Sequence, residues 1–283
     1  MLIGAHVSSA GGVENAPKNA HQAGCEVFQF FSRSPQGGKA PELSLAAIKK
    51  FKNDCQKYHL KESYIHAPYF INLASSNNRV YYGSISVLRE ELERGTQLGV
   101  KYVMTHLGSA KDLGEKQAIK KVAEGVVKVL DGYHGSTQFL IEMSAGAGKI
   151  IGDTFEEIAE ILSKIKRQLT KNKIEIGVCY DTAHAFESGY DIRTQQAVKK
   201  TFDQFDKIIG LKKLKLIHAN DSKTDLGSHI DRHEHIGYGK IGLEGFRALI
   251  HEPRLKKMNL VLETPADGKR INDVKTLKKL RQH

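Results

Sequence analysis

Eight short apolar runs recur along this chain, at residues 2–7, 26–31, 62–66, 101–106, 137–142, 174–180, 214–219 and 258–263, with helical patterns between them. Each is of strand length, rich in β-branched or aromatic residues and bounded by polar or glycine punctuation. Between them, Leu43 to Tyr58 and Val80 to Leu98 place apolar residues at three- and four-residue steps, as helices packed on a sheet do. Asp153, three residues before Glu156, reads as a capping box opening the fifth helix. This alternation predicts an α/β fold, and eight units predict a closed (β/α)8 TIM barrel. With 40% hydrophobic residues in 283, the chain can bury one such core, so a single domain over residues 1–283 is expected.

Seven segments end in side chains that bind metals: Tyr64-Ile65-His66, Val103-Met104-Thr105-His106, Leu140-Ile141-Glu142, Val178-Cys179-Tyr180-Asp181 with His184, Leu216-Ile217-His218, Asp231-Arg232-His233, and Leu260-Val261-Leu262-Glu263. If the runs are parallel strands, these groups project from one edge of one sheet, where a barrel of this kind assembles its site. A lone histidine at a strand end is more often a hydrogen-bonded structural residue. Here the five histidines, two glutamates and two aspartates form one set, more than a single tetrahedral ion needs, so two or three ions are expected. Asp181 and His184 are about one helical turn apart. The one-residue gap between Asp231 and His233 turns both side chains to one side of an extended backbone. Cys25, Cys55 and Cys179 are odd in number and widely spaced, which suits neither a disulfide framework nor a four-thiolate zinc site. Cys179 reads as an inert core thiol. Imidazole and carboxylate suit zinc, although manganese and iron accept the same donors.

The formal charge of +11 invites a nucleic-acid reading, because lysine and arginine release counterions on binding phosphate. Many basic clusters instead precede strands or close helices: Lys171 and Lys173, Lys212-Lys213-Leu214-Lys215, Arg254 with Lys256-Lys257, and Lys275 to Arg281. These read as solvated helix ends on the face away from the metal donors. Arg33, Lys39, Arg79, Lys111, Lys149, Arg193, Lys223, Arg232, Lys240, Lys269 and Arg270 follow the donor-side strand ends and are the better phosphate candidates. Ser32 to Pro41 and Asp221 to Gly242 exceed ordinary loop length and are expected to shape a groove. No run of about 18 apolar residues occurs, so no membrane association is expected. The opening Met1-Leu2-Ile3-Gly4-Ala5-His6 lacks the features of a secretory leader, so an intracellular location, cytoplasm or nucleoid, is expected.

The donor segments also resemble a known family. His66-Ala67-Pro68-Tyr69-Phe70-Ile71-Asn72-Leu73, Thr105-His106-Leu107-Gly108-Ser109, Cys179-Tyr180-Asp181-Thr182-Ala183-His184-Ala185-Phe186, His218-Ala219-Asn220-Asp221-Ser222-Lys223, Asp231-Arg232-His233 and Leu262-Glu263-Thr264-Pro265 resemble endonuclease IV, the zinc-dependent apurinic/apyrimidinic endonucleases. Ile3-Gly4-Ala5-His6-Val7-Ser8 with Gly11-Gly12 fits as well.

The resemblance implies three zinc ions, with manganese a substitute. His66, His106 and Glu142 would hold the first. Glu142, bridging, would join Asp181, His218 and Glu263 on the second, and His184, Asp231 and His233 would hold the third. It implies that Glu142 and Glu263 are catalytic, orienting a water made nucleophilic by the metals. It further implies a monomer acting on double-stranded DNA that contains abasic sites, nicking 5′ to the lesion and leaving a 3′-hydroxyl.

Tyr69, Arg33, Gln36, Arg193, Lys223 and Arg232 would touch the DNA, Tyr69 as the aromatic inserted near the lesion. The chain departs from the pattern at two places. Gln36 stands where many relatives carry arginine, and Met143-Ser144-Ala145-Gly146 replaces the usual Asn-Thr-Ala-Gly. A sugar isomerase or epimerase of xylose-isomerase-like barrel type is the rival reading. Such proteins use residues placed like Glu142, Asp181, His218 and Glu263 and do not need His66, His106, His184, Asp231 and His233 together. A DNA-binding protein with purely structural zinc is a third reading.

Overall fold

The computed structural model describes residues 1–169 and 175–282. Lys171, Lys173 and the first residue of the sixth predicted strand lie outside the described residues. The barrel strands are β1 (Ile3–His6), β2 (Val27–Phe30), β3 (Glu62–His66), β4 (Tyr102–Thr105), β5 (Gln138–Glu142), β6 (Gly177–Asp181), β7 (Leu214–His218) and β10 (Leu260–Leu262). They pair in parallel in that order, and Gly4 of β1 meets Val261 of β10 to close the cylinder. The (β/α)8 barrel expected from the alternation is therefore present; β3 matches its predicted run, β6 ends one residue later than predicted, and the other strands are shorter than their runs by a residue or more.

Helices α1 (Ala16–Gln22), α2 (Leu45–Lys57), α3 (Asn78–Leu98), α4 (Glu115–Leu130), α5 (Phe155–Gln168), α6 (Thr182–Glu187), α7 (Gln195–Ile208), α8 (Gly242–His251) and α9 (Arg270–Gln282) lie in the connections and after the last strand. No described helix is long and apolar enough to cross a membrane.

The alternation of side chains along a strand splits the core in two. One face of each strand, with residues such as Phe28, Phe30, Ile65, Val103 and Ile217, packs against the helices. The other face fills the barrel with Val27, Tyr64, Tyr102, Met104, Leu140, Cys179, Leu216 and Val261. Tyr64 and Tyr102 stack at 5.7 Å in this interior. Cys179 is fully buried there, as an inert thiol should be, and burial pushes it up to about 12.

Two residues beyond each inward position, the same face carries the next layer. From Gly4, Val27, Tyr64, Met104, Leu140, Cys179, Leu216 and Val261, that step reaches His6, Gln29, His66, His106, Glu142, Asp181, His218 and Glu263. The top layer of the barrel is thus a polar ring, with one member from every strand. Lys212 and Lys213 sit in the turn leading into β7, at the opposite end of the strand from His218.

The predicted box opening α5 is shifted by one residue. Thr154, not Asp153, caps the helix by accepting from the Glu157 amide at 3.2 Å, and the Glu157 carboxylate accepts from Gly152 N at 2.7 Å.

Both long connections are anchored by buried carboxylates. In the loop after β2, Glu91 of α3 accepts from Arg33 Nε and from Ser32 Oγ, each at 2.7 Å, while Arg94 donates to Ser32 O and Pro41 O. In the loop after β7, a two-stranded ribbon of β8 (Asp221–Ser222) and β9 (His233–Glu234) forms around Asp221. The Asp221 carboxylate gathers the amides of Ser222, Gly237, Gly239 and Ile241 at 2.9–3.1 Å.

Gly4 is the inward residue of β1, and the packing explains why it carries no side chain. A Cβ there would lie 1.6 Å from the Val27 carbonyl oxygen. Gly4→Ala is expected to force β1 and β2 apart and to lower stability by about 1–3 kcal/mol, as overpacking does. Urea unfolding followed by circular dichroism checks this.

Candidate metal centre

The polar ring, His184 on α6 and the loop after β7 bring all nine predicted donors together. Donor atoms of His66, His106 and Glu142 lie within 4.8 Å of one another, as do those of Glu142, Asp181, His218 and Glu263. Glu142 joins the two groups through its separate oxygens. Oε2 is 2.8 Å from His66 Nε2 and 3.6 Å from His106 Nε2, whereas Oε1 is 2.8 Å from His218 Nδ1. The third expected group, His184, Asp231 and His233, is joined by a further donor. Asp181 lies with His184 and His233, while Asp231 approaches from the rim, with Oδ1 3.4 Å from His184 Nε2 and 4.0 Å from His233 Nε2. Asp181 therefore stands between two groups, as Glu142 does.

Four of the five donor histidines are held by their outer nitrogens. His66 Nδ1 donates to Ala67 O at 2.6 Å, His184 Nδ1 to Met143 O at 3.0 Å and His233 Nδ1 to Glu263 O at 3.3 Å. His218 Nε2 donates to Gln29 Oε1 at 2.8 Å, and Gln29 Nε2 donates to Glu263 Oε1 at 2.6 Å. A carbonyl oxygen can only accept, so each tie places the proton on the outer nitrogen and turns the inner lone pair toward the carboxylates. This is the arrangement that orients histidine as a metal ligand. The Nε2 atoms of His184 and His233 face each other at 3.1 Å.

The charges also fit a cationic group. Burial alone raises the Glu142 carboxyl, but His106, His218 and His66 outweigh it and hold the group well below the usual carboxylate range. Glu263 behaves alike, with burial opposed chiefly by His218. Burial lowers the His66, His184 and His218 imidazoles, yet Glu142 beside His66, Asp181 and Asp231 beside His184, and Cys179 with Glu263 and Glu142 beside His218 leave all three raised. His106 stays lowered by burial, and its Nδ1 is enclosed without a partner. Glu142, Asp181, Asp231 and Glu263 gather negative charge around imidazoles that become ligands when a metal displaces the proton of the inner nitrogen. Buried charge of one sign requires a counter-charge, and a mixed imidazole and carboxylate set suits zinc.

The expected DNA-contacting residues divide. Tyr69 stands at the mouth, 71% exposed, with its ring edge-on to Phe31 at 5.2 Å and 6.3 Å from His66. Gln36 is exposed on the adjoining loop. Lys223 and Arg232 are exposed on the ribbon loop. Arg193 is exposed but chelated by Asp191, at 2.9 Å and 3.0 Å.

Arg33 is a correction. Its guanidinium is buried between Glu91 and Glu90, which neutralise it and turn it away from solvent. Arg270 is another, because it is turned inward, donating to Thr264 O and His6 O.

Four residues of the site escaped the sequence reading: His6, Gln29, Asn220 and Glu187. His6 and Gln29 carried a usable signal, since they continue the two-residue period from Gly4 and Val27. Asn220 donates to Asp181 Oδ2 at 2.7 Å and accepts from the Glu263 amide at 2.6 Å. Asn220→Ala is expected to weaken metal retention by about 10–100-fold, the usual effect of losing a group that orients ligands. Competition with a chromophoric chelator measures it.

The chain matches the family model described as Xylose isomerase-like TIM barrel over residues 17–283. It is 39% identical, over 100% of its length and 99% of the relative's, to a protein of Nitrosopumilus maritimus named probable endonuclease 4. A protein of the same name from Halothermothrix orenii is 38% identical, with each chain covered in full. Among solved structures, endonuclease IV from Thermus thermophilus superposes with a TM-score of 0.88 at 31% identity, covering 100% of this chain and 99% of that one. A D-tagatose 3-epimerase-like protein shares the fold at a TM-score of 0.74 and 20% identity, a likeness of architecture alone. With full-length relatives of this name and all nine donors converging on one barrel rim, the chain belongs to the endonuclease IV family of xylose isomerase-like TIM barrels.

Proposed function

We propose that this protein is a zinc-dependent endonuclease of DNA repair that hydrolyses the phosphodiester 5′ to abasic sites in duplex DNA and leaves a 3′-hydroxyl. The observation that carries the reading is the convergence of nine donors, with His66, His184, His218 and His233 pre-oriented through their outer nitrogens. A sugar epimerase would have no use for His66, His106, His184, Asp231 and His233 as one set. His66, His106 and Glu142 would hold one ion, Glu142, Asp181, His218 and Glu263 a second, and His184, Asp231 and His233 a third. Bound zinc supplies Lewis acidity, making water nucleophilic near neutral pH and offsetting charge on the phosphate.

The protein's own residues supply the rest. Glu142 presents its two oxygens to different donor groups and so fixes their spacing. Glu263, oriented by Gln29 and Asn220, can orient the attacking water and take its proton. A groove of about 810 Å³ beside the centre, bordered by His6, Phe31 and Tyr69, is of a size to admit a nucleotide. An abasic nucleotide lacks pairing and stacking, so its extrusion into such a groove costs less than for an intact one. Tyr69 at the mouth can fill the space it leaves.

Elemental analysis of the purified protein is expected to find close to three ions per chain, matching the three donor groups. Glu142→Gln is expected to lower turnover on an abasic duplex more than any single histidine replacement, and beyond the ~100-fold typical of an outer-shell change. Full activity with one tightly bound ion would refute the reading.

Binding should weaken steeply with salt, with a log-log slope of about −0.9 per neutralised phosphate. Removing Lys223 should reduce that slope, whereas removing Lys212 or Lys213 should leave it unchanged. Tyr69→Ala should weaken abasic-duplex binding by up to two orders of magnitude, in line with ~1–3 kcal/mol per stacked ring. Metal content should not change. Equal losses on abasic and intact duplexes would assign the ring to the scaffold.

A further inference from the structure

Glu187 is fully buried at the end of α6, three residues beyond His184. Its Oε1 accepts from Ser222 Oγ at 2.7 Å, from the Arg232 amide at 3.2 Å and from Thr224 Oγ1 at 3.3 Å. Its Oε2 is enclosed without a hydrogen-bond partner among the described residues. Burial, the largest influence on this carboxyl, pushes it up to about 7. A buried carboxyl with one idle oxygen is costly to the fold, so what it contributes lies in the contacts of the other oxygen.

Those contacts reach both ends of one loop. Ser222 and Thr224 stand where the ribbon loop leaves the barrel, and Arg232 stands where it returns, between Asp231 and His233. Thr224 Oγ1 shares its one proton between Glu187 and Ile230 O, 3.0 Å away, and pairs with Ser228 Oγ at 2.8 Å, which carries the connection into the loop. The backbone is pinned independently, with Gly227 N donating to Phe186 O and His229 N to Glu187 O, both at 3.0 Å. The middle of the loop is therefore tied to α6 by its backbone. The segment bearing Asp231 and His233 is tied to α6 by the Glu187 side chain. Asp231 itself is half exposed and makes side-chain ion-pair contacts only to His184 and His233 among the described residues.

We propose that Glu187 is the positioning residue of the third donor group, fixing Asp231 and His233 opposite His184 by clamping the two ends of the ribbon loop to the helix that carries His184. This rests on the three-ion reading above. The role is one of hydrogen-bond acceptance, so an uncharged acceptor of the same shape can perform it.

The test uses the zinc-loaded wild type, Glu187→Ala and Glu187→Gln, each challenged with rising chelator while retained ions are counted. Amide hydrogen exchange of residues 223–233 is followed in parallel. Glu187→Ala is expected to release one ion per chain at about 10–100-fold lower chelator than wild type. It should hold the other two ions normally and exchange faster over 223–233 but not over β5. Glu187→Gln is expected to stay within a few-fold of wild type in both measurements.

Three results overturn the proposal. One is that Glu187→Ala matches wild type in ion retention and exchange. Another is that it weakens all ions together, the mark of a general scaffold. The last is that Glu187→Gln fails as alanine does, which would assign the effect to charge. If wild type holds fewer than three ions, the three-ion reading falls, and exchange over 223–233 in the three proteins still decides whether Glu187 fixes the loop.

Discussion

The structure depends on the geometric fact that side chains on a parallel strand repeat every two residues. In a closed barrel, one face of every strand points into the same confined volume. The lower layer of that volume is filled by Val27, Leu140, Leu216 and their neighbours. One step higher, every strand contributes a polar group, and the carboxylates of Glu142, Asp181 and Glu263 meet over an apolar floor. Such crowding of negative charge is unfavourable without a counter-charge. Around it, the barrel supplies imidazoles as ligands and outer hydrogen bonds that hold each donor in place.

Orientation is built from residues that are not donors. Gln29 spans His218 and Glu263, while Asn220 spans Asp181 and the backbone of Glu263. Each side-chain amide offers a donor and an acceptor at fixed separation, so one residue sets two ligands relative to each other. The loops repeat the device with carboxylates. Asp221 collects the amides that shape the ribbon loop, and Glu91 holds the loop bearing Gln36 through Ser32 and Arg33. Long connections that would otherwise sample many conformations are thereby fixed near the rim, which lowers the ordering cost of engaging a substrate.

The same use of side chains as ties explains the basic residues. A net charge of +11 suggests a broad field for polyanions. Arg33, Arg94 and Arg270 are nevertheless consumed inside the fold, tying loops to α3 and to the strand ends. Arginine serves there because its planar fork bonds several oxygens at once. Lys223 and Arg232 keep exposed charge at the mouth, on the loop that also carries Asp231 and His233.

By itself, the sequence determined the alternation of strands and helices, the closed barrel and the nine candidate donors that the barrel brings together. These follow from local periodicity and from side-chain type at strand ends. It also held the positions of His6 and Gln29, which a strict two-residue count from the inward residues would have revealed. Tertiary structure decided which donors share a group, that Asp181 stands between two of them, and that Arg33 is buried. It also decided that Asn220 and Glu187 serve the site. Those outcomes depend on contacts such as Gln29 with Glu263, 234 residues apart, and Glu187 with Arg232, 45 residues apart. Barrel register and loop path set such distances, and neither leaves a periodic trace in the chain, because a side chain's type fixes what it can bond but not what it will meet.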